Sequence, residues 1–292
     1  MNRSVKLTLI IIALVVAFLF IFGRFFVKGG DRIGDKVAIV TIEGTITESE
    51  KIISQIHQHR DNASVKALVL RIDSPGGGVA PVQEIFGELK KLDKPIVASM
   101  GNAAASGGYY LACAAEQIYA NPGTLTGSIG AVMQFVKLKD LYQKIGVEYR
   151  VVKSGKHKDI GNPQREMTIE EQELLQATID DVRSQFIDAI FQSRHQKISR
   201  EEIEILADGR IFSGQQAFKY KLVDELGSLP DAILGAGQLG QISGQPKTIQ
   251  IKQKTSFLEQ LLDIQSWLSQ AESTLLPSTS FRYEAYLPLS AP

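Results

Sequence analysis

Pro95-Ile96-Val97-Ala98-Ser99-Met100-Gly101-Asn102-Ala103-Ala104-Ala105-Ser106-Gly107-Gly108 passes from a β-branched apolar run, through a string of small residues, to a serine and two glycines. The pattern predicts a strand over Pro95 to Met100, a turn over Gly101 to Ala105 and a helix over Gly108 to Ala115. Ser106 then falls at a helix N-terminus, where backbone N–H groups lack intrahelical partners. Such donors suit the oxyanion that forms when a hydroxyl attacks an amide carbonyl, and the bare glycines allow close approach. The same residues also suit a plain N-cap serine before a glycine turn.

Working outward, strand-like runs cover Val37 to Ile46, Val65 to Ile72, Gln117 to Ala120 and Val147 to Val152. Helical spacing marks Val82 to Leu92, Val136 to Ile145 and the long Ile169 to His195, followed by Glu201 to Leu206, Gly214 to Tyr220 and Pro230 to Leu239. Strand and helix alternate, which predicts an α/β fold with a mostly parallel sheet and covering helices. Ser256 to Leu268 reads as an amphipathic helix, and a Ser-, Pro- and Tyr-rich tail follows. Three regions result: residues 1–35 as anchor and linker, 36–245 as the main domain, and 246–292 as the C-terminal helix and tail.

Arg3 and Lys6 precede a nearly unbroken apolar run from Leu7 to Phe22, extended by Phe25, Phe26 and Val27. A membrane span needs about 20 mostly apolar residues, a length reached here if Arg24 snorkels. No small-x-small pair follows, so the reading is an uncleaved transmembrane anchor rather than a signal peptide. Arg24, Lys28 and Arg32 on the far side leave orientation open by charge alone. A first hydrophobic segment this near the N-terminus places the globular part outside the cytoplasm.

The 292 residues carry 32 basic and 32 acidic side chains, a formal net charge of zero. That balance offers no electrostatic footprint for nucleic acid. The single cysteine, Cys113, forms no intramolecular disulfide, lies in an apolar run that predicts a buried small side chain, and belongs to no metal cluster.

A second glycine cluster, Asp73-Ser74-Pro75-Gly76-Gly77-Gly78, ends the Val65 to Ile72 strand and opens the next helix. Ligands bind at that edge of open α/β sheets. Neither phosphate-binding glycine pattern is present, so the amides are read as one half of an oxyanion hole rather than as a nucleotide cradle. Among candidate bases, His57 and His59 lie in a polar stretch expected to be solvated, and His195 ends the long helix, where its cation favours the dipole. His157 would need an orienting carboxylate such as Asp73 or Asp159. Lys158 would need none, because a desolvated lysine accepts a serine proton near neutral pH.

Ser74-Pro75-Gly76-Gly77-Gly78, Ala104-Ala105-Ser106-Gly107-Gly108-Tyr109-Tyr110, Leu125-Thr126-Gly127-Ser128-Ile129-Gly130, Lys153-Ser154-Gly155-Lys156-His157-Lys158-Asp159 and Asp208-Gly209-Arg210-Ile211-Phe212-Ser213-Gly214 follow one another along the chain. In that order they resemble the signal peptide peptidase A family, in its short single-repeat form, from about Val37 to Gly227. The resemblance implies a crotonase- or Clp-protease-like superfold and a membrane-associated serine endopeptidase that degrades signal peptides left after secretion. It implies Ser106 as nucleophile, Lys158 as general base, Gly77 and Gly107 as oxyanion-hole donors, and Ser128 as the hydroxyl that orients the lysine. It further implies a homo-oligomer with peptide substrates, no cofactor and no metal, held at the inner membrane. A related Clp-fold protease acting on membrane proteins and a catalytically silent binding scaffold are the competing readings. The dyad carries a geometric demand: Lys158 buried within hydrogen-bonding reach of Ser106.

Overall fold

The computed structural model describes residues 34–251 and a short strand, Arg282–Glu284. The segments read above as the membrane anchor (Leu7 to Phe22) and the amphipathic helix (Ser256 to Leu268) lie outside the described residues. No described helix is long and apolar enough to cross a membrane.

Strand β1 (Lys36–Glu43) leads to helix α1 (Glu50–Arg60) and strand β2 (Val65–Ser74). Strand β3 (Gly76–Gly78), helix α2 (Val79–Leu89) and strand β4 (Ile96–Ala105) follow. Next come α3 (Gly107–Ala112), β5 (Gln117–Ala120), β6 (Leu125–Gly127) and α4 (Lys139–Lys144). The long α5 (Ile169–Arg194) precedes α6 (Arg200–Leu206), β7 (Ile211–Ser213) and α7 (Gly214–Lys219). Strand β8 (Glu225–Leu226), helix α8 (Leu229–Leu239) and strand β9 (Lys247–Gln250) complete the body.

The main sheet runs β7-β6-β4-β2-β1-β9, with β5 beside the first half of β4 and β8 beside β5. Every pairing is parallel except β6 with β7, as the alternation of strand and helix predicts. Sheet alternation sorts β1 between two apolar layers. Ala38, Val40 and Ile42 pack with Val82, Ile85, Tyr109 and Phe186 on one face. Val37 and Ile39 pack with Ala232 and Ala236 of α8 on the other. Both faces are thus covered, so the central stretches of β1, β2 and β4 read as near-continuous apolar runs rather than as alternating ones.

A buried ion pair ties α5 to the sheet. Arg194 donates from Nη1 and Nη2 to the Asp224 carboxylate at 2.7 and 2.8 Å, and Asp224 also accepts from the Ile118 N–H at 2.8 Å. The additional hydrogen bonds offset the cost of removing both charges from water. Cys113 is buried as expected, and burial pushes its thiol up to about 12.

Several expectations are corrected. Gly101 to Ala105 is strand rather than turn, because β4 continues through it, meeting β2 again at Ala104 and pairing with β6 from Ala103 to Ala105. Val147 to Val152 is an exposed coil, since no described strand lies beside it to take its backbone hydrogen bonds, and β-branched residues make no strand without a partner. The helix expected over Val136 to Ile145 shrinks to α4. His59 is buried rather than solvated; burial, and then the nearby Lys94 charge, lower its pKa. Strand β9, in the 246–292 region, joins the main sheet beside β1.

Candidate active site

Ser106 occupies the junction between β4 and α3 with φ 53° and ψ −117°. A non-glycine residue reaches that region only when its surroundings impose it, at a cost of about 1–3 kcal/mol. Two hydrogen bonds do so: Ser106 N–H donates to Gly127 O at 2.8 Å, and Tyr110 N–H donates to Ser106 O at 2.9 Å. The side chain makes no capping hydrogen bond, so the plain N-cap alternative fails. Ser106 is 1% exposed, and its Oγ is buried without any hydrogen-bond partner. An unsatisfied buried hydroxyl on a strained turn is costly to stability and well prepared for attack.

The glycine cluster is folded against this turn by a side chain the sequence reading left without a role. Ser74 Oγ donates to Gly44 O at 2.6 Å and accepts from Gly76 N–H at 3.1 Å. Ile46 N–H then donates to Gly76 O at 2.9 Å, and Gly78 N–H donates to Ile46 O at 2.8 Å. With Gly76 and Gly78 turned toward Ile46, strand geometry leaves the N–H and carbonyl of Gly77 on the opposite edge. Glycine is required there: a Cβ would lie 2.1 Å from Ile46 O. A Cβ on Gly108 would lie 2.8 Å from Ser74 O, so the Ser106 turn and the glycine loop are in direct contact.

Asp73 has a structural duty. Its register step against β4 breaks between Ile72 and Ser74, and its carboxylate fills the break by accepting from Ala103 N–H and Asn102 Nδ2, both at 3.1 Å. It does not meet His157, whose Nε2 instead lies 3.4 Å from Glu170 Oε1. Ser128 is buried with φ 50°, directly after Gly127, the residue that accepts from Ser106. A cleft of about 340 Å³ opens beside it, lined by Ile129, Gly130, Val132 and Arg183 among others.

Lys158 sits elsewhere in character: it is exposed, and Ser106 Oγ receives no hydrogen bond from it. The single chain therefore does not meet the demand for a buried Lys158 in contact with Ser106. Its loop is nevertheless firmly held. Lys153 Nζ donates to Lys156 O at 2.8 Å and to Asp159 Oδ1 at 2.6 Å. Arg165 donates to both Asp159 oxygens, at 2.9 and 2.8 Å, and to Glu171, which closes a capping box with Thr168 at the start of α5. The Arg165 hydrogen bond, then Lys153, holds Asp159 well below the usual carboxylate range. Glu171 is held at about 2 by Arg165 first and the Thr168 backbone second. Around this clamp the arm from Ala131 to Thr168 exposes Val132, Leu141, Ile145, Val147, Tyr149 and Val152.

Among the described residues no group of three His, Cys, Asp or Glu side chains is arranged to hold a metal. Ser74 and Gly127 are the residues whose part sequence reasoning missed. The Ser74 hydroxyl stands in the quoted motif but gives no sign of its two acceptor and donor contacts, while Gly127 carries φ 81° and a Cβ there would lie 2.5 Å from Phe212 Cδ2.

Comparison with known proteins places these features in one group. A family model described as Peptidase family S49 matches residues 88–243, and one described as Clp protease matches residues 33–125. A candidate protease of Synechocystis sp. is 44% identical over 200 residues, covering 68% of this chain and 72% of that protein. A candidate signal peptide peptidase of Enterococcus faecium is 35% identical, covering 63% of this chain and 54% of its own length. The chloroplastic serine protease SPPA of Arabidopsis thaliana is 35% identical over 74% of this chain, which spans 32% of that longer protein. With a Clp-protease-like sheet, a strained buried serine and more than half its length matched, the chain belongs to Peptidase family S49, a serine protease of that family.

Proposed function

We propose that this protease is a Ser-Lys endopeptidase that degrades cleaved signal peptides and other hydrophobic peptides at a membrane. The observation that carries the reading is Ser106, strained, buried and without a partner beside two glycine amide loops. Ser106 Oγ attacks the scissile carbonyl while neutral Lys158 takes its proton; the N–H groups of Gly77 and Gly107 hold the tetrahedral oxygen. Lys158 then protonates the leaving amine and activates the water that hydrolyses the acyl-enzyme. Ser128, one residue from the Ser106 backbone partner, orients the lysine.

The chain works as a homo-oligomer on the crotonase-like superfold. The exposed apolar side chains of the 131–168 arm support assembly as the step that buries Lys158 against a serine and removes it from water. The Leu7 to Phe22 segment anchors the protein, with the 36–245 domain outside the cytoplasm. The Enterococcus relative's name supports the substrate class. Kinetics on a quenched fluorescent signal-peptide sequence test the dyad. Ser106→Ala and Lys158→Ala each lower kcat by about 10³-fold or more, while His157→Ala keeps its activity. Undiminished hydrolysis by Lys158→Ala would remove the lysine from the mechanism.

A further inference from the structure

The cleft of about 340 Å³ beside Ser128 contains one charge that nothing near it answers. Arg183, half-buried on α5, donates from Nε to Ala207 O at 2.7 Å and from Nη2 to Glu204 O at 3.1 Å. Both acceptors stand at the C-terminal end of α6, where carbonyls lack helical partners and draw a cation. These bonds fix one side of the guanidinium fork. Among the described residues Nη1 has no hydrogen bond and Arg183 has no ion pair. The carboxylates around it are already engaged. Asp208, on the same cleft, accepts from Arg210 Nε at 2.7 Å and from its Nη2. Asp181 accepts from Gln185 at 2.7 Å, and Glu204 from Arg200 at 3.3 Å. An arginine bound only to carbonyls keeps its full charge, and its planar fork matches a carboxylate.

The rest of the lining limits what can bring that carboxylate. Val132, 44% exposed, supplies an apolar wall, while Gly130 and Gly209 have open space where a Cβ would stand. The cleft is tied to the nucleophile by backbone. Ser128 N–H donates to Arg210 O at 2.8 Å, and the preceding Gly127 O accepts from Ser106 N–H at 2.8 Å. It therefore begins one residue from the group that holds Ser106 in its strained turn. A peptide made of apolar residues has no acidic side chain to offer, so the negative charge it brings to such a cleft is its own C-terminal carboxylate.

We propose that Arg183 and the cleft between residues 128–132 and 207–209 form a subsite for the free C-terminal carboxylate of an apolar peptide. The proposal rests on the reading of Ser106 as the nucleophile of a peptide hydrolase. Hydrolysis of a peptide bond leaves a carboxylate on the upstream fragment, whereas the same residues inside an intact precursor continue as a neutral amide. Arg183 thereby distinguishes a segment already released from one still joined to its protein. The reaction that supplies the substrate is itself a peptide-bond hydrolysis, and each cut at Ser106 leaves a new carboxylate that can return to the same subsite.

The test compares one hydrophobic peptide, synthesised as the C-terminal free acid and as the C-terminal amide, on the full chain. KM for the acid should be about fivefold lower than for the amide. That ratio should shrink toward one at high salt, because the pair is partly exposed, and also in Arg183→Gln. Arg183→Lys, which keeps the charge and loses the fork, should retain part of it. In Ser106→Ala, which leaves Arg183 intact, the acid should slow hydrogen exchange across residues 128–134 and 207–209 more than the amide does. Equal KM values in the wild-type protein overturn the proposal, as do equal protection by the two peptides and a preference that persists in a folded Arg183→Gln protein. If neither peptide is hydrolysed, the function assigned above fails, and exchange in the Ser106→Ala protein still decides whether the carboxylate is bound.

Discussion

Ser106 has a backbone that glycine would adopt more comfortably. The positive φ strains any L side chain, and its buried hydroxyl has no partner. Ser106→Gly removes both costs while adding back some chain entropy, for a net stabilisation of about 1–2 kcal/mol. The expected result is a thermal midpoint raised by roughly 2–4 °C in a protein without hydrolytic activity, read by calorimetry beside kinetics. A lowered midpoint would mean that the hydroxyl finds a partner in solution. At this scale the sequence was informative about identity and poor about conformation. Ser106, Gly77 and Gly107 could be picked out from their small-residue surroundings, whereas a capping serine and a strained one look alike in sequence. The difference lies chiefly in Gly127 O, a contact set by a strand further along the chain, joined by the local Tyr110 N–H.

Among elements, the arm from Ala131 to Thr168 is where periodicity misled. Val147 to Val152 has the composition of a strand and the solvent exposure of a loop, because strand formation depends on a neighbour that composition does not encode. The core strands were legible for the opposite reason: β1, β2 and β4 are buried on both faces, so burial and propensity agree. Charge, rather than apolar packing, holds the arm's Lys158 loop through Arg165, Asp159 and Glu171. Both carboxyls are more acidic in the folded chain than in the unfolded one, so their stabilisation is complete above the usual Glu value of 4.5 and is lost as pH falls toward about 2. Hydrogen exchange over residues 153–171, corrected for intrinsic rates, should accelerate between pH 6 and pH 3 more than exchange in β2 does. Equal acceleration in both would place the arm's stability in something other than this clamp.

At the scale of the whole molecule, the proposed dyad is divided within the single chain: Ser106 is buried without a base, and Lys158 is exposed on a loop held by ion pairs. The apolar residues around the lysine are a surface that soluble monomers seldom leave uncovered. Specific activity should therefore fall on dilution, in step with dissociation followed by analytical ultracentrifugation, and Tyr149→Glu should shift both curves to higher protein concentration. Activity that stays constant while the assembly dissociates would show that one chain suffices. The α/β class and the parallel sheet were legible because they repeat a local pattern many times. The proposed assembly rests on a few exposed side chains that resemble ordinary loop residues until their surroundings are seen.

The bare glycine edge of β3 has a consequence for what this protease can touch. Without side chains it cannot read a sequence; it can only ask whether a peptide's backbone groups are available for pairing. A folded protein, whose amides and carbonyls are already engaged, gives no answer to that question, and a helix must unwind before it can reply. Under the function proposed above, the enzyme discriminates by conformation before composition, which lets it work among intact neighbours while clearing segments that have lost their structure.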